Sequence, residues 1–496
     1  MMRSRVNSLA LLSLASLLAT ACTSEKVVYR DGPNYAQPTT GAASFVGYSD
    51  EASKKTVCGS CHVEKQAKWA TTKHASAWKD LSSSGTMQTY CQPCHTVGQN
   101  GNPSADAKAG FGDAAAAQYH DVQCESCHGA GLSHVSNPSL TNYPLASIAA
   151  DTAAKNGCGE CHSGTHNPFV NEWRVSGHAD TWTTSHNSTD PYCQSCHTGQ
   201  GALATWGITS NYVEKNNTSN GTANMLGATC ATCHDPHGSA NKAQLRFPIN
   251  TASTETNLCM KCHQRRGTFQ DAIAQGRNSV HSPEGPTLLG QAGWFPPGMS
   301  VADSIISTHG NVSKNPNLCA TCHVAKYAGT DPLTKAAVNS TGHRFLATPC
   351  VDASGLPTLT QTCAVTAMSF RSCVASGCHG TETLARAAFN TATARVTLLN
   401  NEGTRLVNLI KAIPAKAADC TFSATKPYNS CLGLQFNQSV VTKVGGIIHN
   451  PFLLEQLMVA SITQVKKDYG VTVSANISLE PQLKRPPTVP LSGTQH

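Results

Sequence analysis

The chain has 496 residues, of which only 6% are aromatic and 13% are charged. So few large side chains can build only a thin conventional hydrophobic core. The formal charge of +7 is spread over scattered Lys and Arg residues with no run of five, which excludes a basic tract for binding nucleic acid.

The N-terminus has the pattern of an export signal. Arg3 and Arg5 precede an apolar run over residues 9–19, which is too short to span a bilayer as a stable helix. Small residues before Cys22 resemble a bacterial lipobox, so residues 1–21 are predicted to be a signal peptide and Cys22 a lipidated residue. The alternative is ordinary cleavage that leaves this thiol spare, although an exposed spare Cys is a liability in an exported protein.

One short motif, Cys-x-x-Cys-His, then occurs eight times. A ninth, longer copy has four residues between its cysteines, at Cys373, Cys378 and His379. The cysteines of the eight regular copies are Cys58 and Cys61, Cys91 and Cys94, Cys124 and Cys127, Cys158 and Cys161, Cys193 and Cys196, Cys230 and Cys233, Cys259 and Cys262, and Cys319 and Cys322. The His residues that close them are His62, His95, His128, His162, His197, His234, His263 and His323.

This motif is the attachment signature of c-type haem. Two thiols add to the vinyl groups of one porphyrin, so they must lie a short, fixed distance apart, and the next His binds the iron as its proximal ligand. Structural zinc sites, thioredoxin-like redox centres and disulfide frameworks do not require a His after every second Cys. We therefore expect eight or nine covalently bound haem c groups, which supply the apolar bulk that the side chains lack. The expected fold is mostly irregular and α-helical, with short helices, long loops and little or no β-sheet.

The haem motifs are arranged in a repeat. Cys58, Cys91 and Cys124 recur as Cys158, Cys193 and Cys230, at offsets of 100, 102 and 106 residues. A Trp-His-Trp segment follows the first motif of each copy, and its periodicity predicts a helix, for example over residues 64–79. The predicted organisation is a flexible tether at 22–55, trihaem modules at 56–157 and 158–258, a third haem region at 259–380, a C-terminal helical segment at 381–477 and a disordered tail at 478–496.

The C-terminal part has a different composition. Residues 381–413 predict a helix that ends before Pro414, and Asn450-Pro451 predicts the start of a second helix over residues 452–467. Four cysteines remain outside the motifs, and in an exported protein they are predicted to form short-loop disulfides, Cys350 with Cys363 and Cys420 with Cys431. Pairing of Cys373 with one of these cysteines, which would remove the ninth haem, is the alternative.

The second axial ligand decides the chemistry of each iron. Twelve of the 21 His residues lie outside the motifs, and nine haems with two His ligands each need nine of them. An iron bound by two His residues has no open position for a substrate, so it transfers electrons without bond chemistry. The nine candidates are His74, His134, His178, His237, His281, His309, His343, His449 and His120. His120 competes with His166 and His186 for the last place, and His496 is expected to be solvated.

The chain resembles the outer-surface multihaem c-type cytochromes of metal-reducing bacteria. The resemblance is carried by the lipobox, the eight regular motifs, the sequence Cys-His-Asp-Pro-His237-Gly and the sequence Gly-Gly-Ile-Ile-His449-Asn-Pro. The segment from His62 to His74 also looks like the first haem segment of nitrification-type multihaem cytochromes. The resemblance implies closely packed haems that pass electrons from periplasmic carriers to extracellular acceptors.

Two functions follow from these patterns. The first is a non-enzymatic electron conduit in the outer membrane, at the cell surface or periplasmic face. Its expected partners are other cytochromes or a porin–cytochrome conduit, ferric oxides as acceptors, the membrane through the lipid anchor and, in one variant, further copies of the chain in an oligomer or filament. The alternative is a multihaem oxidoreductase acting on nitrite, hydroxylamine or a sulfur oxyanion, which needs one haem with an open position.

Overall fold

A computed structural model describes residues 45–88, 91–97, 117–139, 141, 143–146, 157–164, 168–182, 190–209, 225–300, 305–330, 337–353, 355–360, 362–375, 378–443 and 445–484. The predicted signal peptide, Cys22, His166, His186 and His496 lie outside these residues. Within the described ranges, no helix combines the length and the apolar character needed to cross a membrane.

Short helices and loops make up most of the described chain, which confirms the predicted fold class. The α-helices before the C-terminal part are Val63–Trp69, Ala77–Ser82, Gln92–His95, Cys124–His128, Leu132–Ser136, Phe169–Arg174, Pro191–His197, Gly199–Thr205, Cys230–Cys233, Phe269–Ala274, Glu284–Leu288, Cys319–His323 and Arg371–Ala375. Two small antiparallel sheets pair Tyr48–Asp50 with Lys55–Thr56 and Tyr327–Thr330 with Ala337–Ser340.

The chain forms two compact units. The first contains Met1–Gln99 and Pro103–Pro144, and the second contains Asn100–Asn102 and Leu145–His496. The first unit thus holds three of the haem motifs, and the second holds the other six. Each unit is described separately below.

Residues 45–55, predicted as part of the tether, are instead folded into the first unit. They contain both strands of the first sheet apart from Thr56, and Phe45 and Val46 are buried. The buried carboxylate of Glu125 accepts hydrogen bonds from the backbone N–H groups of Val46, at 3.0 Å, and Gly47, at 2.7 Å. Since Glu125 lies inside the third haem motif, the segment is fixed directly to a haem site.

The predicted helix over residues 64–79 is broken in the structure. Val63–Trp69 ends before two threonines, and Ala77–Ser82 begins after a single 3₁₀ turn at His74–Ser76. The hydroxyl groups of Thr71 and Thr72 each donate to a backbone carbonyl three residues back, at 2.7 Å. Such local bonds compete with helical ones, and they explain why the apolar periodicity did not predict the break.

Three longer helices form a C-terminal bundle, defined by Glu382–Lys411, Ser430–Thr442 and Pro451–Tyr469. Their starts follow ordinary capping rules, because the side chains of Thr381, Asn429 and Asn450 accept the first free N–H groups. Both helices predicted here are confirmed. The largest buried apolar cluster of the described residues lies in this bundle and includes Leu399, Leu406, Ile410, Phe436, Leu454, Met458 and Ile462.

Residues 478–484, predicted as part of a disordered tail, instead pack on the C-terminal bundle. The buried carboxylate of Glu455 accepts hydrogen bonds from the N–H groups of Gln482, at 2.7 Å, and Leu483, at 2.9 Å. Arg395 forms a buried ion pair with the same carboxylate at 2.6 Å. The polar composition of the segment concealed these bonds, which belong to its backbone rather than to its side chains.

The second unit contains two disulfides. They join Cys350 to Cys363 and Cys420 to Cys431, as expected for the four cysteines outside the motifs. Neither bond involves Cys373, so the alternative pairing that would remove the ninth haem is not adopted. The second disulfide ties the start of Ser430–Thr442 to the loop that precedes it.

Candidate haem sites

The Cys-x-x-Cys-His motif forms a tight helical turn. In the first copy the backbone N–H of His62 donates to the carbonyl of Cys58 at 3.0 Å, and the same bond joins His263 to Cys259 at 3.1 Å. A bond of this span brings the first, fourth and fifth residues of the motif to one side of the turn. Two thiols and an imidazole on one side are what attachment to a single porphyrin requires.

The ninth motif closes in a related way despite its longer spacing. The N–H of His379 donates to the carbonyl of Cys373 at 3.2 Å, which is again a bond from the closing His to the first Cys. The closing geometry of the regular motifs is preserved, and this supports a haem at the ninth site.

Six of the closing His residues face a second imidazole within the described chain. The ring centroids of these pairs are 6.1 to 6.4 Å apart. An iron bound by two imidazole nitrogens at about 2 Å each separates the ring centroids by about 6 Å. The six pairs are His62 with His134, His197 with His281, His234 with His343, His263 with His178, His323 with His449 and His379 with His309.

In each pair the second imidazole lies far from the closing His along the sequence. It is also one of the nine His residues predicted as second axial ligands. His134 follows the third motif, yet it faces His62 of the first. His178 belongs to the second module, yet it faces His263 at the start of the third haem region. The chain is therefore folded so that one segment carries the attachment motif of one site and the second ligand of another.

Two other distal candidates have different surroundings. The ring of His120 stacks on Trp78 with centroids 4.0 Å apart, and its Nδ1 lies 2.9 Å from a carboxylate oxygen of Glu51. The Nδ1 of His237 lies 3.6 Å from the carboxylate of Asp235, and its side chain is partly exposed. Ligation of iron by His120 and His237 stays a prediction.

The structure repeats the bonds of the Trp-His-Trp segment in both modules. The indole N–H of Trp69 donates to the carbonyl of Val122 at 2.9 Å, and the N–H of Val122 donates to the carbonyl of His74 at 3.1 Å. The second module makes the same two bonds, at 2.8 and 3.1 Å, with Trp173, Ala228 and His178. His74 and His178 therefore occupy equivalent backbone positions, and ligation by His74 stays a prediction that this equivalence supports.

Backbone carbonyls orient many of the imidazoles. The Nδ1 of His95 lies 2.8 Å from the carbonyl of Ala77, and that of His309 lies 2.9 Å from the carbonyl of Ile448. A hydrogen bond from Nδ1 fixes the tautomer and leaves Nε2 to bind a metal. The same contact, at 2.8 Å, is made by His128 with Pro144, His234 with Ala243 and His323 with Phe345.

Burial favours the neutral form of several imidazoles of the pairs. It lowers the pKa of His178 and of His449 to about 4, and it also lowers the pKa of His309 and of His343. A neutral imidazole offers the lone pair that a metal needs. These rings are therefore ready to bind iron at neutral pH.

The sequence analysis did not predict one acidic residue that lies beside a haem-motif imidazole. The Oε2 atom of Glu284 lies 3.5 Å from the Nδ1 of His263. Burial opposes protonation of His263, but the hydrogen bond and charge of Glu284 outweigh it and raise the pKa of His263. The two residues belong to different elements, and nothing in their spacing along the chain predicts the contact.

The residues present thus fit covalently bound haem, because each motif supplies two thiols and a closing imidazole, and at six sites a second imidazole lies at the required distance. The family model for the doubled CXXCH motif matches residues 223–268, and the model for cytochrome c554 and c-prime matches residues 57–129. No curated protein and no solved structure matches the chain. Fold, site and family models together define a multihaem c-type cytochrome, and this is a class of electron-transfer protein.

Proposed function

We propose that the protein conducts electrons along a chain of nine haems whose irons each have two His ligands, and that it carries out no substrate chemistry. The observation that carries this proposal is the set of six imidazole pairs. An iron between two imidazoles is low-spin and offers no open coordination position. His rather than Met as second ligand also keeps the reduction potentials low.

The proposed location is the outer membrane, with a lipid on Cys22 as the anchor. The lipobox-like residues before Cys22 and the resemblance to outer-surface cytochromes support this location. The electrons would come from other cytochromes or a porin–cytochrome conduit and would pass to extracellular acceptors such as ferric oxides. Assembly into an oligomer or filament fits the same function.

Binding of carbon monoxide separates this function from the enzymatic alternative. We expect the reduced wild-type protein to bind carbon monoxide only in trace amounts, as measured from the Soret absorbance. One carbon monoxide bound per chain, together with turnover of nitrite or hydroxylamine by an electron donor, would show that an oxidoreductase is the better description.

Removal of the lipid attachment site tests the proposed location. Cys22→Ala should release the protein from the outer-membrane fraction into the soluble fraction, because the acyl groups on Cys22 are the proposed anchor. The measurement is an immunoblot of both fractions, with Cys420→Ala, which replaces a disulfide-bonded cysteine of the folded part, as the control. Unchanged attachment of the Cys22→Ala protein would contradict lipidation.

A further inference from the structure

The haem site formed by Cys259, Cys262 and His263, here called the junction site, lies against three other sites of the second unit. The thiol of Cys262 is close enough to interact electrostatically with Cys196 of the fifth site, and the thiol of Cys319, of the eighth site, with Cys259. The thiol of Cys233, of the sixth site, is close enough to interact electrostatically with Cys259.

Thiol contacts locate the edges of the porphyrins. Each thiol is the point where a porphyrin edge is joined to the chain, so neighbouring thiols place the edges of two porphyrins near each other. The junction site is therefore a branch point, at which electrons from three neighbouring sites can meet. Its reduction potential consequently affects the distribution of electrons over every branch.

The imidazole planes of the junction site distinguish it from other sites. His263 and His178 are nearly perpendicular, with an interplanar angle of 80°. The pairs at His62, His234 and His323 are nearly parallel, with angles of 24°, 22° and 20°. Perpendicular ligand planes leave two iron d orbitals almost equal in energy, and this gives a low-spin electron paramagnetic resonance (EPR) signal with an unusually large g value. Among the six imidazole pairs of the described residues, the junction site has the largest interplanar angle, and the next largest are 54° and 52°.

At the junction site a charged group, rather than a backbone carbonyl, lies beside the proximal imidazole. The carboxylate of Glu284 lies 3.5 Å from the Nδ1 of His263, whereas the Nδ1 atoms of His95, His128 and His234 lie against neutral backbone carbonyls. The hydroxyl of Ser282 donates to Glu284 at 2.8 Å and holds the carboxylate in place.

A backbone hydrogen bond also holds the residue next to Glu284 against His263. The N–H of Gly285 donates to the carbonyl of His263 at 2.8 Å. The short helix Glu284–Leu288 is therefore attached to the haem motif itself, and the backbone that carries the Glu284 side chain is held beside the imidazole.

We propose that Glu284 is a positioning residue that lowers the reduction potential of the haem at the junction site. A negative charge on the outer nitrogen of the proximal imidazole increases electron donation to the iron and stabilises the ferric state over the ferrous state. With a lower potential, the junction haem passes an electron on readily to a neighbouring haem, so the branch point does not trap electrons. This inference rests on the two-imidazole ligation of the proposed function.

Glu284→Gln tests the proposal because it removes the charge and keeps the shape of the side chain. In a potentiometric titration followed by EPR, the large-g signal should titrate at a higher potential than in the wild type. We expect at least a tenfold change in the ratio of oxidised to reduced haem at fixed potential, which corresponds to about 59 mV for one electron. Glu255→Gln removes the same charge from an exposed position on the same segment and should leave the signal unchanged.

A second variant keeps the test decisive if Glu284→Gln fails to fold. Glu284→Asp retains the charge but withdraws it from the imidazole, so its midpoint should lie between those of wild type and Glu284→Gln. A large-g signal that titrates at the wild-type potential in both variants would overturn the proposal. Failure of the proposed function is recognised separately, because the wild-type protein would then bind carbon monoxide.

Discussion

At the scale of single residues, the imidazoles are prepared for iron by the backbone around them. A carbonyl that accepts a hydrogen bond from Nδ1 selects the tautomer, as Ile448 does for His309 and Phe345 does for His323. Burial then keeps the ring neutral, as at His449. The apolar surroundings that make these rings poor bases are thus the same surroundings that suit a large porphyrin.

The pair of His178 and His263 gives a prediction for a single residue. His178→Ala should open the iron of the junction site, because the ring 6.2 Å from His263 is removed. The variant should gain a high-spin EPR signal and should bind one carbon monoxide when reduced. His74→Ala should behave alike, since His74 has the equivalent backbone position in the first module.

Phe345→Leu is the matched control for His178→Ala. The Phe345 ring packs edge-on against the same imidazole, with centroids 4.4 Å apart, but it carries no ligand nitrogen. Its substitution should loosen the packing and leave the low-spin spectrum unchanged. A high-spin signal of equal size in both variants would show that packing, rather than loss of a ligand, opens the iron.

At the scale of elements, local sequence predicted much of the fold. Capping residues predicted the helix Pro451–Tyr469, and the repeated Trp and His predicted bonds that Trp69 and Trp173 both make. The partners of each distal His could not be predicted, because they depend on contacts between residues far apart in the chain. The break before His74–Ser76 was missed for a different reason, since it depends on hydroxyl bonds that compete with helical ones.

The N-cap of Pro451–Tyr469 links a helix to a haem site. The side chain of Asn450 accepts from the N–H of Leu453 at 3.1 Å, and its amide donates to the buried carbonyls of Thr287 and Ile305, at 3.1 and 2.6 Å. Asn450→Ala should lower the free energy of unfolding by about 2–4 kcal/mol. It should also disturb the adjacent ligand His449, and this would appear as a partial high-spin signal.

Asn429→Ala is the control for Asn450→Ala, because it removes a helix N-cap at a place away from the haem ligands. Asn429 caps Ser430–Thr442 with the same kind of bond, at 3.1 Å to the N–H of Leu432, but it adjoins no haem ligand. The substitution should cost about 1–2 kcal/mol in stability and leave the EPR spectrum unchanged. Loss of stability without a spectral change in both variants would contradict the link between the Asn450 cap and the haem site.

At the scale of the whole molecule, the second unit combines two ways of filling an interior. Its C-terminal bundle buries a continuous apolar cluster, whereas the apolar cluster around Val170 and Trp173 in the second module is small. Porphyrins supply the missing apolar volume around the motifs. The connection between the last two helices of the bundle nevertheless reaches the candidate haem sites, because its His449 faces His323 and the carbonyl of its Ile448 lies against the Nδ1 of His309.

The haem count is the prediction that belongs to the whole molecule. The mature protein should have a mass that corresponds to nine covalently bound haems, because the ninth motif closes onto Cys373 and its His379 faces His309 at 6.3 Å. Replacement of both Cys373 and Cys378 by Ala should remove one haem from the intact mass measured under denaturing conditions. Replacement of Cys420 and Cys431, which form a disulfide, should leave nine. A wild-type mass with eight haems would contradict the ninth site, and the geometry of its His pair would then need another explanation.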